Sequence, residues 1–286
     1  MGAARAGCTA LVVIALASVS CADEDPKAGP PPRDDVEVVR NAAEDALQAG
    51  SARVTVTGLG NGPSIDSRVD ADFVRPRASF TVHRQAGPVT TLRQEVVVDG
   101  LDMYLKGESL RGSKARPWVA ATAEELVDLL GSDGLGLSEM GQHPGLPLHF
   151  LAATKTVSDT HTEELEGVRV TRYDVSTDVR AAVDAATGAW REVLFDQMTR
   201  LLYLGAGNEI EMYLWIDADG VIRKVEEIFE YDGEVCSEAG LCRGVALLHF
   251  HFEYEWDGDV SIRLPEPRST IPLETVWERA LMRAQS

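Results

Sequence analysis

The chain has 286 residues and a formal net charge of −19, with 46 acidic residues against 27 basic ones. Nucleic-acid binding needs a basic face that releases counterions, so this balance argues against a nucleic-acid partner, and anionic headgroups are poor direct partners for the folded body. With 44% hydrophobic residues the chain can bury a sizeable core, in one large domain or two small ones, and no internal repeat is visible.

Residues 1–20 read as a secretory signal. Arg5 is their only charge, and Thr9 to Ala17 form an apolar run. The run is too short to span a bilayer, which takes about 20 apolar residues. Ser18, Val19 and Ser20 follow, and then Cys21. A short apolar core that ends in small residues marks a cleavage site rather than a membrane helix. The segment resembles a lipobox, Leu-Ala/Ser-Gly/Ala-Cys, with Ser18 standing where Leu, Val or Ile is usual. Cys21 is therefore expected to become an acylated N-terminus; the alternative is plain secretion with Cys21 left free. Two or more acyl chains anchor stably, at about 0.8 kcal/mol per buried methylene. Residues 21–34 are acidic and rich in proline, with no large apolar side chain. Such a segment cannot bury anything and is expected to serve as an extended tether, reaching roughly 40 Å at about 3.1 Å per residue. Residues 35–286 are expected to form a single folded domain.

That domain opens with a helix over Val36 to Gln48, capped by Asp35 and ended by Gly50. Ser51 to Thr57 alternate as a strand, with Ala52, Val54 and Val56 on one face. Residues 65–75 and 78–84 predict two more strands, parted by Pro76. Leu92 to Val98 and Leu101 to Lys106 flank Asp99-Gly100, which favours a two-residue hairpin turn with positive φ at both positions. Trp118 closes this section. Thr122-Ala-Glu-Glu125 predicts a capping box opening a helix to Leu130. Residues 131–147 are a glycine-rich loop, and the part near Gly134 to Gly145 is expected to be lid-like. Residues 148–153 form a short helix or turn. Residues 154–164 and 168–176 pair as strands. Residues 178–204 are helical with a break at Thr187-Gly188. Strands return over 209–217, 221–231 and 245–256, where Leu248, Phe250, Phe252, Tyr254 and Trp256 share a side. Antiparallel hairpins with inserted helices, not repeated βαβ units, make this an α+β chain.

Few residues point to chemistry. Cys236 and Cys242 close a small loop, and in an oxidising compartment they are expected to form a disulfide worth roughly 2 kcal/mol. Metal binding by that pair would need two further ligands nearby. His249 and His251 lie two apart on a strand with Glu253 and Glu255, but a polar solvated face is the better reading, so no metal site is expected. Asp217-Ala-Asp-Gly220 reads as a hairpin turn, because it lacks the full twelve-residue ligand series of a calcium loop. There is no Gly-x-Ser-x-Gly elbow, no His-Glu-x-x-His and no phosphate-binding glycine loop. No catalytic role and no cofactor are expected.

Several segments together resemble the LppX–LprAFG lipoproteins of actinobacteria, which are akin to the periplasmic carrier LolA. They are the helix before Ser51-Ala-Arg-Val-Thr-Val-Thr-Gly58, Val98-Asp-Gly-Leu-Asp-Met-Tyr-Leu105, Arg116-Pro-Trp-Val119, Leu165-Glu-Gly-Val-Arg-Val-Thr-Arg-Tyr-Asp-Val175, and Met212-Tyr-Leu-Trp-Ile-Asp-Ala-Asp-Gly-Val-Ile-Arg-Lys224. Their order behind Cys21 carries the resemblance. It implies a strongly curved antiparallel β-sheet, a half-barrel, packed over several α-helices. It also implies an exported lipoprotein, anchored to the outer face of the cell membrane, that binds or carries an acylated lipid or lipoglycan in the cell envelope. Val54, Val56, Val96, Val98, Met212, Leu214, Ile216, Phe250 and Phe252 lie on the apolar face of such a sheet and are the candidate cavity lining; ordinary core is the better reading for any one of them. The alternative is an envelope interaction or sensing module with a filled core. Replacing Cys21→Ala is expected to release the chain from membranes on fractionation; a variant that stays in the membrane pellet would show that the anchor lies elsewhere.

Overall fold

The structure, a computed structural model, describes residues 34–59, 65–85, 91–107, 116–122, 124–126, 143–203, 207–231, 246–256, 258 and 260–284. The signal segment, Cys21, most of the tether, the Cys236–Cys242 loop and most of the glycine-rich loop lie outside the described residues. Helix α1 spans Asp35–Ala49 and leads into strands β1 (Ser51–Leu59), β2 (Ile65–Asp72), β3 (Arg77–Gln85), β4 (Thr91–Asp99), β5 (Asp102–Gly107) and β6 (Trp118–Thr122). Helix α2 (Leu146–Ala152) precedes β7 (Thr154–Leu165) and β8 (Val168–Asp178). Helices α3 (Val179–Ala185) and α4 (Gly188–Tyr203) follow, then β9 (Glu209–Asp217), β10 (Ile222–Tyr231), β11 (Ala246–Glu255), β12 (Thr270–Pro272) and α5 (Leu273–Ala284).

All twelve strands join one open, curved sheet in the order β12-β6-β5-β4-β3-β2-β1-β11-β10-β9-β8-β7. It consists of two meanders, β1 to β6 and β7 to β11, fused where β1 pairs with β11. Every pairing from β6 round to β7 is antiparallel, as expected. The exception is β12, which adds in parallel to β6 through Thr270–Trp118, Ile271–Val119 and Pro272–Ala120. A three-residue strand ending in proline carries too short a pattern to be read from sequence.

Strand parity sorts the side chains. On the helix-facing side Val54, Val69, Phe80, Val96 and Leu105 follow one another across β1 to β5, and from Val56 a second row runs through Phe252, Val225, Leu214 and Tyr173 across β11 to β8. All are buried in one hydrophobic core. Helix α1 contributes Val39, Ala42, Ala43 and Ala46 to it, a stripe of mostly small side chains that packs close to α2 and to β7. Arg40 ties that helix to β7 by donating from Nε to the Thr154 carbonyl at 2.9 Å.

Caps and turns follow local chemistry, with two shifts of one residue. The N-cap of α1 is Asp34, whose Oδ1 accepts from the Val36 amide at 3.0 Å, rather than Asp35. Asp35 then sits in the first turn, where a carboxylate favours the helix dipole. Gly50 ends the helix at φ +84°, as expected. The β4–β5 turn is centred on Gly100-Leu101, not Asp99-Gly100, because Asp99 still pairs with Asp102 in the ladder. Only Gly100 has positive φ there, at +66°, so a single left-handed residue suffices and Leu101 tolerates the second position. Arg77 also holds Asp99 in the ladder, with Nε 2.7 Å from Oδ1. The capping box forms as predicted: the Thr122 amide donates to Glu125 Oε2 at 2.7 Å, and the Glu125 amide to Thr122 Oγ1 at 3.2 Å. The break before Gly188 also forms, with Gly188 at φ +59°.

One aromatic junction locks helix α4 to the β2–β3 corner. Trp190 donates from Nε1 to the Phe73 carbonyl at 2.8 Å. Its indole meets the rings of His143 and His149 at 4.8 and 4.3 Å between centroids. His143 accepts the Gly145 amide on Nδ1 at 2.9 Å, which leaves the proton on Nε2 to donate to the Arg77 carbonyl at 2.6 Å. Burial pushes the His143 pKa down to about 4, so the ring is neutral. Tyr254 donates to the Pro144 carbonyl at 2.8 Å. Residues 143–145 are thus buried and pinned, so this end of the expected lid is part of the core. A Cβ at Gly145 would stand 2.7 Å from Cη2 of Trp190. Gly145→Ala is therefore predicted to cost about 1–3 kcal/mol through overpacking, read as a lower denaturation midpoint. An unchanged midpoint would mean that the junction is loosely packed.

Candidate functional site

Three places carry features beyond ordinary packing: the helix-facing side of the sheet, a groove over α3 and α4, and a polar cluster on the outer side of the sheet.

The nine residues expected to line a cavity all reach the helix-facing side, as their parity demands. Val54, Val56, Val96, Val98, Met212, Leu214, Ile216, Phe250 and Phe252 are each 0–8% exposed and belong to the one core cluster. Among them sits a group that the sequence reading missed. Glu227 lies between Met212 and Phe250 in the ladder, on the same face as Val225 and Phe229. It is 1% exposed and its Oε1 has no hydrogen-bond partner. Burial pushes its pKa up to about 8, so at neutral pH the carboxyl is largely protonated and can donate a hydrogen bond. The parity of Val225, Glu227 and Phe229 was the available signal, and it points the carboxyl into the core. Gln94 is a second polar group on this face, 4% exposed with Nε2 unpartnered.

The groove runs over α3, α4 and the β4–β5 turn and encloses about 780 Å³. Leu101, Val183, Phe195, Met198 and Leu202 give it an apolar floor. Phe195 is 57% exposed and Leu202 47%, although most large apolar side chains among the described residues are buried. Arg180, Asp184, Arg191 and Glu192 supply a rim of both charges. A concave apolar surface with a few charged groups at its edge is the usual form of a small-ligand site. The sequence showed α4 as a helix, but the exposed stripe appears only once the other face is known to be packed.

On the outer side, β10 and β11 bring Glu226, His249 and His251 together. Glu226 is directly opposite His251 in the register. His251 Nδ1 lies 2.9 Å from Glu226 Oε1, and His249 Nε2 lies 3.2 Å from Oε2. Lys224 Nζ is 2.5 Å from the same Oε1. Burial alone would raise the Glu226 pKa, but Lys224 and His251 beside it hold it below its ordinary value. Burial pushes the His251 pKa down, with Glu226 opposing. The two histidines share a face, as expected. Their carboxylate partner, however, is Glu226 of the neighbouring strand, since Glu255 pairs with Arg68 at 2.7 Å and Glu253 lies opposite Lys224.

No family model and no curated protein matches the chain. Among solved structures it is similar to LprF from Mycobacterium bovis, at 14% identity and a TM-score of 0.42, over 84% of this chain and 99% of that one. It is similar to the lipoprotein LppX of Mycobacterium tuberculosis at 14% identity and a TM-score of 0.41, over 79% of this chain and 97% of that one. A DUF1329 family protein from Desulfovibrio piger matches at 9% identity and a TM-score of 0.28, over 83% of this chain and 98% of that one. LprF and LppX are of the group that the sequence segments resemble.

Glu227 makes stability depend on pH in a defined direction. In the folded chain it keeps its proton up to about pH 8, and at its ordinary value only up to 4.5. Between these limits the folded state holds more protons than the unfolded one, so stability falls as pH rises, by up to about 1.4 kcal/mol per unit. Glu227→Gln is predicted to remove that slope: relative to the variant, the native chain should lose stability from pH 4.5 to about 8 and level off above. Parallel pH profiles of the two denaturation midpoints would show that the carboxyl is solvated or paired.

Proposed function

We propose that the protein is an exported, non-catalytic lipid-binding lipoprotein of a bacterial cell envelope, tethered through an acylated Cys21 and holding the acyl chain of an amphiphilic lipid in the groove over α3 and α4. The groove is the observation that carries this reading. Exposing Phe195 and Leu202 to water is unfavourable by roughly 25 cal/mol for each Å² of apolar surface, and an acyl chain laid over them removes that surface from water. The mixed rim of Arg180, Asp184, Arg191 and Glu192 suits a polar headgroup at the end of such a chain. In this reading Cys236 and Cys242 form the disulfide expected in an oxidising compartment. The tether keeps the groove within reach of the surface that supplies lipid.

The nine residues of the helix-facing side are the second location for a chain. All nine are buried in the one hydrophobic core, so a lipid enters there only if that core opens. That packing also supports the second reading, an envelope interaction module with a filled core and no ligand.

Mass spectrometry of organic extracts from the natively purified protein distinguishes these. The proposal predicts co-purifying acyl lipid and saturable binding of a fluorescent fatty-acid probe. Phe195→Asp should weaken probe binding without lowering the denaturation midpoint, because the side chain is already exposed. If Phe252→Ala weakens the probe and Phe195→Asp does not, the ligand lies on the helix-facing side. Lipid-free extracts together with no probe binding sink the lipid reading and leave the interaction module.

A further inference from the structure

We propose that Glu226, His249 and His251 form a binding site for a divalent transition-metal ion, with Zn²⁺ as the representative, on the outer face of the sheet. The inference is independent of the lipid reading, since these side chains lie on the opposite face from the core.

Convergence is built into the ladder. His249 and His251 project to the same side because successive strand residues alternate. The β10–β11 register sets the Glu226 carboxylate against both, one oxygen to each imidazole. The three donor atoms lie within 4.8 Å of one another. Around a tetrahedral zinc at about 2.0–2.1 Å from its ligands, donors are roughly 3.3–3.4 Å apart. The two nitrogen–oxygen spacings, 2.9 and 3.2 Å, are close to that but fall on different carboxylate oxygens. A metal held by one of those oxygens requires both imidazoles to turn toward it, and their ring centroids are only 4.1 Å apart. The change required is one of side-chain rotation, since both strands are paired on both sides.

Two nitrogens and one carboxylate oxygen are a borderline donor set. It suits zinc, copper or nickel, whereas magnesium and calcium prefer oxygen alone. The side chains are 13–25% exposed, so the site is partly desolvated yet reachable. Three protein ligands leave a fourth position for water. Lys224 is the cation that now occupies the carboxylate. Its ammonium also lies 4.7 Å from the Trp215 ring centroid, and its ladder partner on β11 is Glu253, so it has other places to rest when a metal displaces it. Lys224 is therefore a built-in competitor, and removing it should tighten the site.

Calorimetric titration of ZnCl₂ into the full chain, first stripped with a chelator, tests this, with ¹⁵N resonances of the histidines as the local readout. The wild-type chain should take up one equivalent that a His249→Asn, His251→Asn double variant lacks. The imidazole signals of His249 and His251 should shift while that of His161 does not. Lys224→Met keeps all three donors and should bind more tightly, which preserves the test if the double variant fails to fold. MgCl₂ should leave the histidine signals in place. Equal zinc uptake by the double variant, unmoved histidine resonances at saturation, or no tightening in Lys224→Met would each overturn the proposal and leave the cluster as an ion pair between strands.

Discussion

The pairing of β1 with β11 is the constraint on which the rest depends. Seven aligned positions, from Arg53 opposite Glu255 to Leu59 opposite His249, join the two meanders into one sheet. Helix α1 packs against β7 and β10 of the second meander and is joined through Gly50 to β1 of the first, so the seam also fixes where the chain passes from one meander to the other. The register is also all-or-none in its effect on faces. A slip by one residue would turn Phe250 and Phe252 outward and His249 and His251 inward. The core and the outer cluster therefore stand or fall on the same seam.

Parity explains the sharpest contrast in the molecule. Glu226 and Glu227 are neighbours with identical side chains, yet one is held below its ordinary pKa and the other pushed well above it. Glu226 faces outward among Lys224, His249 and His251, where the Lys224 ammonium favours its charge. Glu227 faces inward between Met212 and Phe250, where burial strips its water and Oε1 finds no hydrogen-bond partner. A buried carboxyl with an unpartnered oxygen opposes folding at neutral pH. Its neutral form keeps a proton that can be offered to another group inside an apolar core.

Much of the fold was legible because it is local. The helix to Gly50, the capping box at Thr122 and Glu125, the break at Gly188 and the alternation of Phe250, Phe252 and Tyr254 each depend on residues close in sequence. The resemblance then supplied what local pattern does not, the closing of hairpins into one curved sheet. What escaped was set by register between distant segments. The two histidines could be placed on one face, but Glu226 becomes their partner only through the β10–β11 alignment. Strand β12 escaped because its three residues gain their meaning from Trp118 to Ala120. The groove over α4 escaped for a related reason. Trp190, Val193, Leu194 and Leu201 fill the buried side, and only their packing shows that Phe195 and Leu202 are left over.

The two edges of the sheet are finished differently. At one, β12 covers β6 and α5 follows directly. At the other, β7 presents twelve residues with no strand beyond it among the described residues. A bare edge of that length is a template for pairing with another chain. Here it carries Asp159, Glu163 and Glu164 on an exposed stretch and two register shifts, between Thr154 and Thr156 and between Val157 and Asp159. Charge and irregularity together make β7 a poor template for a second copy. Copies crowded side by side on one surface would repel along this edge instead of zipping into a shared sheet, so high local density need not lead to self-association.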